Sequence, residues 1–490
     1  MSSYILAIDQ GTTGSRAILY AASGRPVAAA YREIHQHFPR PGWVEHDPEE
    51  LWSSTLRVIQ RALAQAGIRP TALAAIGITN QRETTLLWDR ATGRPVHRAI
   101  VWQDRRTADL CRVLKTREPQ VRKITGLVLD PYFSGTKISW LLQHAPAIAR
   151  AARAGRLAFG TVDSWLLWKL TGGKIHATDV TNASRTLLLD LRSNRWSVPM
   201  MKMLQVPPSL LPHVFPSSHR FGVTARVGPL VSGIPITGIA GDQQAALFGQ
   251  GCTEPGQAKN TYGTGCFLLM QTGKKRIHSS HGLITTAACD ARGQPSYALE
   301  GSVFIAGAAI QWLRDGLRIL HQAADSEKMA RSVPDTGGVY FVPALVGLGA
   351  PYWKPDARGL ICGITRGTTR AHLVRAALEA IAYQSQELLV AMEQDSRIRL
   401  TALRVDGGAV KNNFLLQFQA HLSGVPVIRP TLIETTALGA AQLAGLGVGL
   451  WSTDDLARMR RVDRIFRPGW GPSRRAAWLS QWKAAVRRAL

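Results

Sequence analysis

A strand–turn–strand pattern with glycine and threonine at its bend occurs twice in this chain of 490 residues. Residues 4–8, YILAI, are a continuous apolar run; DQGTTGS (9–15) interrupts it and RAILY (16–20) resumes it. QAKNTYGTGCFLLM (257–270) repeats the arrangement in the second half. Short apolar runs bounded by turn residues read as buried strands. Each opening is followed by alternating strand and helix signals. Asp47 caps a helix that has Pro48 at its first position, and Gly67 ends it. ALAAIGI (72–78), IPITGIA (234–240), ALRVDGG (402–408) and VPVIRP (425–430) read as strands. NNFLLQFQAHLSG (412–424) reads as a helix, and Thr435 or Thr436 can cap another that runs through Leu446. Two similar openings predict two α/β lobes, 1–250 and 251–490, with a ligand cleft between them. The boundary falls in GQGCTEPGQ.

Composition narrows the function. An apolar share of 45% supports sizeable cores and excludes a disordered chain. The net charge is +26, carried by 59 Lys and Arg, of which only 13 are Lys. These cations are scattered, and no run reaches the five to eight residues of a nucleic-acid patch. A small-molecule partner is therefore expected rather than nucleic acid, although a basic nucleic-acid-binding protein stays as an alternative. The five cysteines are dispersed without a C-x-x-C pair, which suits a reducing compartment. The apolar stretch from Ala437 to Trp451 is too short to span a bilayer. A soluble, cytoplasmic protein without membrane insertion is the expectation.

Four constellations can carry chemistry. Asp9-Gln10-Gly11-Thr12-Thr13 offers amides and hydroxyls to phosphate oxygens, and a strand-end carboxylate to a hydrated Mg²⁺. A plain hairpin turn would look the same, but Tyr262-Gly263-Thr264-Gly265 echoes it, and a phosphate chain held between two lobes needs a donor loop from each. No Walker A motif accompanies either. Val405-Asp406-Gly407-Gly408 and Gly301–Gly307 end strands before helices, where phosphate or a planar group can approach a helix start. Arg82-Glu83 and Gly241-Asp242 directly follow apolar strands, at the sheet edge where open α/β sheets bind ligands. The first pair suits a vicinal polyol but equally a surface ion pair; Asp242 suits a proton acceptor but equally a helix cap.

With these residues in view, the chain resembles the carbohydrate kinase family that shares the actin and sugar-kinase ATPase fold. The resemblance runs from DQGTTGSR (9–16) through TNQRET (79–84), VWQDRRT (101–107), DPYFSGTKISW (130–140), GIAGDQQAALFGQ (238–250), NTYGTGCF (260–267) and VDGGAVKNNF (405–414) to ALGAAQLAGL (437–446). It implies two actin-like (ribonuclease H-like) lobes, an ATP-dependent kinase that uses Mg²⁺, and a homodimer or homotetramer. TNQRET with GDQQAALFGQ implies glycerol as acceptor; a kinase for erythritol or a pentulose is the alternative. Position by position, the family assigns Arg82, Glu83, Tyr132 and Asp242 to polyol hydroxyls, and Trp102 and Phe267 to its carbon chain. Asp242 becomes general base, with Asp9 and Asp242 at the metal. Thr12, Thr13 and Arg16 fall on the first phosphate loop and Thr264 on the second, while Gly307, Gln311, Gly408 and Asn412 surround the nucleotide. Two departures stand out. Lys354 occupies a place in APYWKPDARG where an acidic or small polar residue is common. In members inhibited by fructose 1,6-bisphosphate an Arg precedes the strand leading to GDQQ; here Gly233 stands there.

Overall fold

Two α/β units share one strand order. In this computed structural model, which describes residues 3–354 and 356–490, the first unit takes the chain through Thr253 together with Thr285–Tyr297 and Thr435–Arg460. The second comprises Glu254–Ile284, Ala298–Glu434 and Arg461–Leu490. The first break lies three residues beyond the expected cut at 250, but an undivided second half does not describe the units. Two later segments belong with the first.

The first unit is built on β1 (Tyr4–Gln10), β2 (Gly14–Ala21), β3 (Pro26–Glu33), β4 (Leu73–Asn80), β5 (Ser218–Val223) and β6 (Pro235–Gly241), in the order β5-β6-β4-β1-β2-β3. β1 and β2 form the first predicted hairpin, closed by the Gly11 amide donating to the Gly14 carbonyl at 2.9 Å. β1, β4 and β6 run parallel, with Gln10, Asn80 and Gly241 in register at their ends. Ile8, Ile76, Ile78, Ile236 and Ile239 are fully buried in this sheet, as continuous apolar runs in parallel strands require.

Helix Pro48–Ala66 starts and stops where its sequence says. Asp47 accepts from the Glu49 amide, and Gly67 adopts φ 64° at the end. Helix Thr435–Gly447 lies on the same sheet, so close that a Cβ on Gly77 would stand 2.2 Å from the Ala440 carbonyl oxygen. Thr435 is already its first residue rather than a flanking cap.

The second unit carries β7 (Gln257–Tyr262), β8 (Cys266–Gly273), β9 (Ile284–Cys289), β10 (Pro295–Val303), β11 (Ala402–Asp406), β12 (Val427–Pro430) and β13 (Val462–Phe466). The order is β9-β10-β8-β7-β11-β12-β13. Here β7–β8 is the antiparallel hairpin and β7–β11 the parallel pair. The run β10-β8-β7-β11-β12 therefore repeats β3-β2-β1-β4-β6. The repeated opening in the sequence is a repeated sheet in the fold. Helix Arg370–Ser396 supplies much of this unit's core, with Val374, Ile381, Leu388 and Met392 buried.

Candidate active site

Three parallel strands of the first unit end side by side, and the residues just beyond them carry the charge. Arg82 and Glu83 follow β4, and Asp242 opens helix Asp242–Gly249 directly after β6. Arg82 Nε lies 3.2 Å from Asp242 Oδ1 and 3.9 Å from Glu83 Oε1. Glu83 also receives Arg185 Nε at 2.6 Å. Arg82, Glu83 and Arg185 are buried, whereas the Asp242 side chain keeps 30% of its surface. The surface ion pair that the sequence left open is thus excluded: this is a buried cluster with one accessible carboxylate. Gly241, not Asp242, is the helix cap, and Asp242 sits in the first turn, where the helix dipole favours negative charge. A Cβ on Gly241 would come within 2.8 Å of Arg82 Cγ and Cδ, so only glycine lets the guanidinium stem lie against the strand end.

Glu83 is strained. Its φ is 62°, and the Thr84 amide donates to the Arg82 carbonyl at 2.7 Å, a tight three-residue turn around a non-glycine residue. Ser134 Oγ holds the Glu83 carbonyl at 2.8 Å. Strain held by surrounding bonds is characteristic of functional positions.

An aromatic group stands beside this cluster in the same unit. Trp102 donates its indole N–H to Thr12 Oγ1 at 2.9 Å and meets Tyr132 edge-on at 5.5 Å. The guanidinium of Arg185 lies 5.6 Å from the centre of the Tyr132 ring. The loop bearing Trp102 is pinned by Asp104, which accepts from the Val44 amide and from Arg106. Lys137 is fully buried and donates to the Tyr132 carbonyl at 2.6 Å. Burial pulls its pKa down to about 8, against the opposing pull of Glu83, Asp104 and Asp130.

On the neighbouring strand Asp9 pairs across β1–β2 with Arg16, whose guanidinium lies 5.5 Å from the centre of the Tyr31 ring. Thr13 is exposed on the hairpin bend. One strand, β4, separates the ends that carry Asp9 and Asp242. Among the described residues no three His, Cys, Asp or Glu side chains converge as a metal cage. The donor set fits an ion such as Mg²⁺, which rests on one or two carboxylates and takes its remaining ligands from water and phosphate oxygens.

The second unit gathers the remaining candidates. Its hairpin turn Gly263-Thr264-Gly265 is exposed at Thr264 and is gripped by helix Gly307–Asp315. Amides of Ala306 and Ala308 donate to the Thr264 carbonyl, and that of Gly307 to the Gly263 carbonyl, at 2.8–3.1 Å. A Cβ on Gly307 would stand 2.6 Å from the Gly263 carbonyl oxygen. Gln311 is exposed one turn further along the helix. Thr261 and Asp406 are in register, which brings Gly408 to the same end of the sheet with open space above its Cα. Asn412 caps helix Asn413–Ser423 by accepting from the Leu415 amide and donates to Ser326 Oγ, so its side chain shapes the fold there. Phe267 is half-buried on β8 opposite Thr261. It belongs to the second unit, whereas Arg82, Glu83, Trp102, Tyr132 and Asp242 belong to the first.

Sequence reasoning missed Arg185, Lys137 and the polar segment 178–184. Arg185 lies 102 residues from its partner Glu83, and no local spacing signals such a pairing.

Comparison with known proteins follows the same outline. Residues 4–249 match the N-terminal domain, and 258–448 the C-terminal domain, of the FGGY family of carbohydrate kinases. The chain belongs to that family and is a carbohydrate kinase with its two-domain actin-like α/β fold. Within the family it is 58% identical to a glycerol kinase of Leptothrix cholodnii, over 99% of both chains. It is 56% identical to glycerol kinase 2 of Thermotoga maritima, again over 99% of each. A Plasmodium falciparum glycerol kinase solved with ADP superposes with a TM-score of 0.94 at 38% identity, covering 100% of this chain and 98% of that one. Among the described residues no helix is long and apolar enough to cross a membrane.

Proposed function

We propose that the chain transfers the terminal phosphoryl group of ATP to a primary hydroxyl of glycerol, giving glycerol 3-phosphate and ADP. One observation carries the acceptor side: a buried Arg82–Glu83–Arg185 cluster that presents the accessible carboxylate Asp242 at a strand end. Arg82 and Glu83 offer donors and acceptors to vicinal hydroxyls, and the Trp102 and Tyr132 rings suit the carbon chain. Phe267 completes the set of acceptor residues. Residues 1–250 hold the other acceptor residues and the first phosphate loop; 251–490 hold Phe267, the second loop and the adenine surface.

Phosphoryl transfer asks a protein chiefly for positioning, charge neutralisation and a proton acceptor. Asp242 takes the hydroxyl proton as the glycerol oxygen bonds to phosphorus and the bond to the ADP oxygen breaks. Thr12, Thr13, Arg16 and Thr264 donate to phosphate oxygens, and Gly307, Gln311, Gly408 and Asn412 form the nucleotide surface. Asp9 and Asp242 would hold Mg²⁺, which when bound offsets charge on the phosphates.

ADP release across a panel of polyols and ketoses tests this reading. Glycerol should give the highest kcat/KM. A strong signal with erythritol or a pentulose and none with glycerol would overturn it.

A further inference from the structure

Behind the charged cluster lies a buried polar network that the reaction does not itself use. Asp179, fully buried, is its hub. Its Oδ2 accepts from the Thr181 amide (2.9 Å), the Thr181 hydroxyl (2.7 Å) and Ser217 Oγ (2.7 Å). Its Oδ1 accepts from the Asn182 amide (3.0 Å) and Asn182 Nδ2 (2.9 Å). Five donors converge on one carboxylate, and the residues that supply them continue to two strand ends.

The first branch runs through Thr181. Its hydroxyl has one proton, and that proton is given to Asp179. Its oxygen is thereby turned to accept the amide of Gly241, the residue immediately before Asp242, at 2.9 Å. The second branch runs through Asn182. The carboxylate fixes which end of that side-chain amide faces it, so Nδ2 also donates to Asn80 Oδ1 (3.1 Å) while Oδ1 accepts from Asn80 Nδ2 (3.0 Å). Asn80 Nδ2 then holds the Gln81 carbonyl at 2.9 Å, one peptide before Arg82. Gln81 in turn donates to the Gly11 carbonyl at 3.1 Å, on the first hairpin turn. One carboxylate thus sets the hydrogen-bond direction at both strand ends that carry the acceptor residues.

We infer that Asp179 and Thr181 are positioning residues for the acceptor site, with the Thr181 hydroxyl fixing the peptide that aims Asp242. This inference rests on the reading of Asp242 as the proton acceptor. Displacement of a reacting group by about 1 Å can cost about a hundredfold in rate, so the network should appear in kcat.

The test compares Thr181→Ser with Thr181→Ala in the full chain, because the two variants lack the same methyl group and differ only in the hydroxyl. Thr181→Val, near in shape to the original, serves as the second hydroxyl-free variant. Steady-state kinetics with glycerol and ATP should show Thr181→Ala and Thr181→Val with kcat reduced about ten- to a hundredfold. Their KM for glycerol should stay within about threefold, because Arg82 and Glu83 hang on the other branch. Thr181→Ser should retain kcat within about threefold, and Asp179→Asn, which disturbs both branches, should lower kcat and raise KM together.

Equal kcat in Thr181→Ser and Thr181→Ala, whether both high or both low, would overturn the inference. Asp242→Asn is measured in parallel. If it loses activity while Thr181→Ala does not, only the positioning role fails. If the unaltered chain gives no glycerol-dependent ADP release, the acceptor reading fails and this inference with it.

Discussion

At the residue scale, Asp242 differs from its neighbours in being the one partly exposed carboxylate among buried charges. Asp242→Asn keeps the shape and the contact with Arg82 but cannot accept the proton. Its kcat should fall by about two to four orders of magnitude; rates within about threefold of the original would remove Asp242 from that role. Arg185 plays a different part. With Arg185→Gln, Glu83 stays buried and loses the 2.6 Å guanidinium contact, while the longer approach to Arg82 remains. Breaking a buried ion pair from one side typically costs about 3–5 kcal/mol. Urea unfolding should register a loss of that order, and KM for glycerol should rise; an unchanged unfolding free energy would show that Glu83 does not depend on this partner. Arg82, Glu83 and Asp242 were legible because each directly follows an apolar run. Arg185 and Asp179 were not, because TDVTNASR (178–185) has no strand or helix periodicity and its partners are far away in sequence.

At the scale of elements, the two hairpins and the strand-to-helix junctions were legible because turn chemistry and apolar runs are local signals. Their use of hydrogen bonds was not. The amides at the start of helix Gly307–Asp315 are spent on the Gly263–Thr264 turn, so that helix end supports the loop, and Thr264 is the residue it presents. In the segment before β6, Gly233 stands where, by the family resemblance, members inhibited by fructose 1,6-bisphosphate carry an Arg. Gly233 has φ 97°, and Thr224 clasps both sides of it: its carbonyl accepts from the Gly233 amide and its hydroxyl oxygen from the Ile234 amide. An Arg at this position would be strained as well as new. Glycerol-dependent ADP release should keep more than half its rate in millimolar fructose 1,6-bisphosphate. Stronger inhibition would contradict this and would make Arg226, the nearest preceding cation, the next residue to replace.

At the scale of the whole molecule, burial has collected titratable groups whose effects on stability oppose one another. Asp163 is pushed up to about 7, first by burial and then by the charge of Asp179; burial raises Glu379 and Glu387 to about 7 as well. These carboxyls hold protons in the folded chain that the unfolded chain has already released. Between about pH 4 and 7 their contribution to stability therefore falls as pH rises. His46 and His176, lowered to about 4 by burial, act in the opposite direction between about pH 4 and 6.5. Single variants separate the two effects. The difference in unfolding free energy between the unaltered chain and Asp163→Asn should decline from pH 4 to 7 and level off above; a flat difference would mean that Asp163 titrates normally.

The doubled sheet was foreseeable because its opening recurs in the sequence. The discontinuity of the units was not, since an apolar helix such as 435–447 fits either sheet until its close fit against Gly77 and Gly238 is known. That fit has a consequence for how the protein is made. Translation delivers the strands of the first sheet early, but the helix that covers one face of them emerges only after most of the chain, and Trp451, whose indole holds the Ala22 carbonyl, comes later still. The nascent N-terminal part must travel through synthesis with an apolar face uncovered. Its final closure thus waits on residues that the ribosome adds near the end, and the two units cannot mature strictly one after the other.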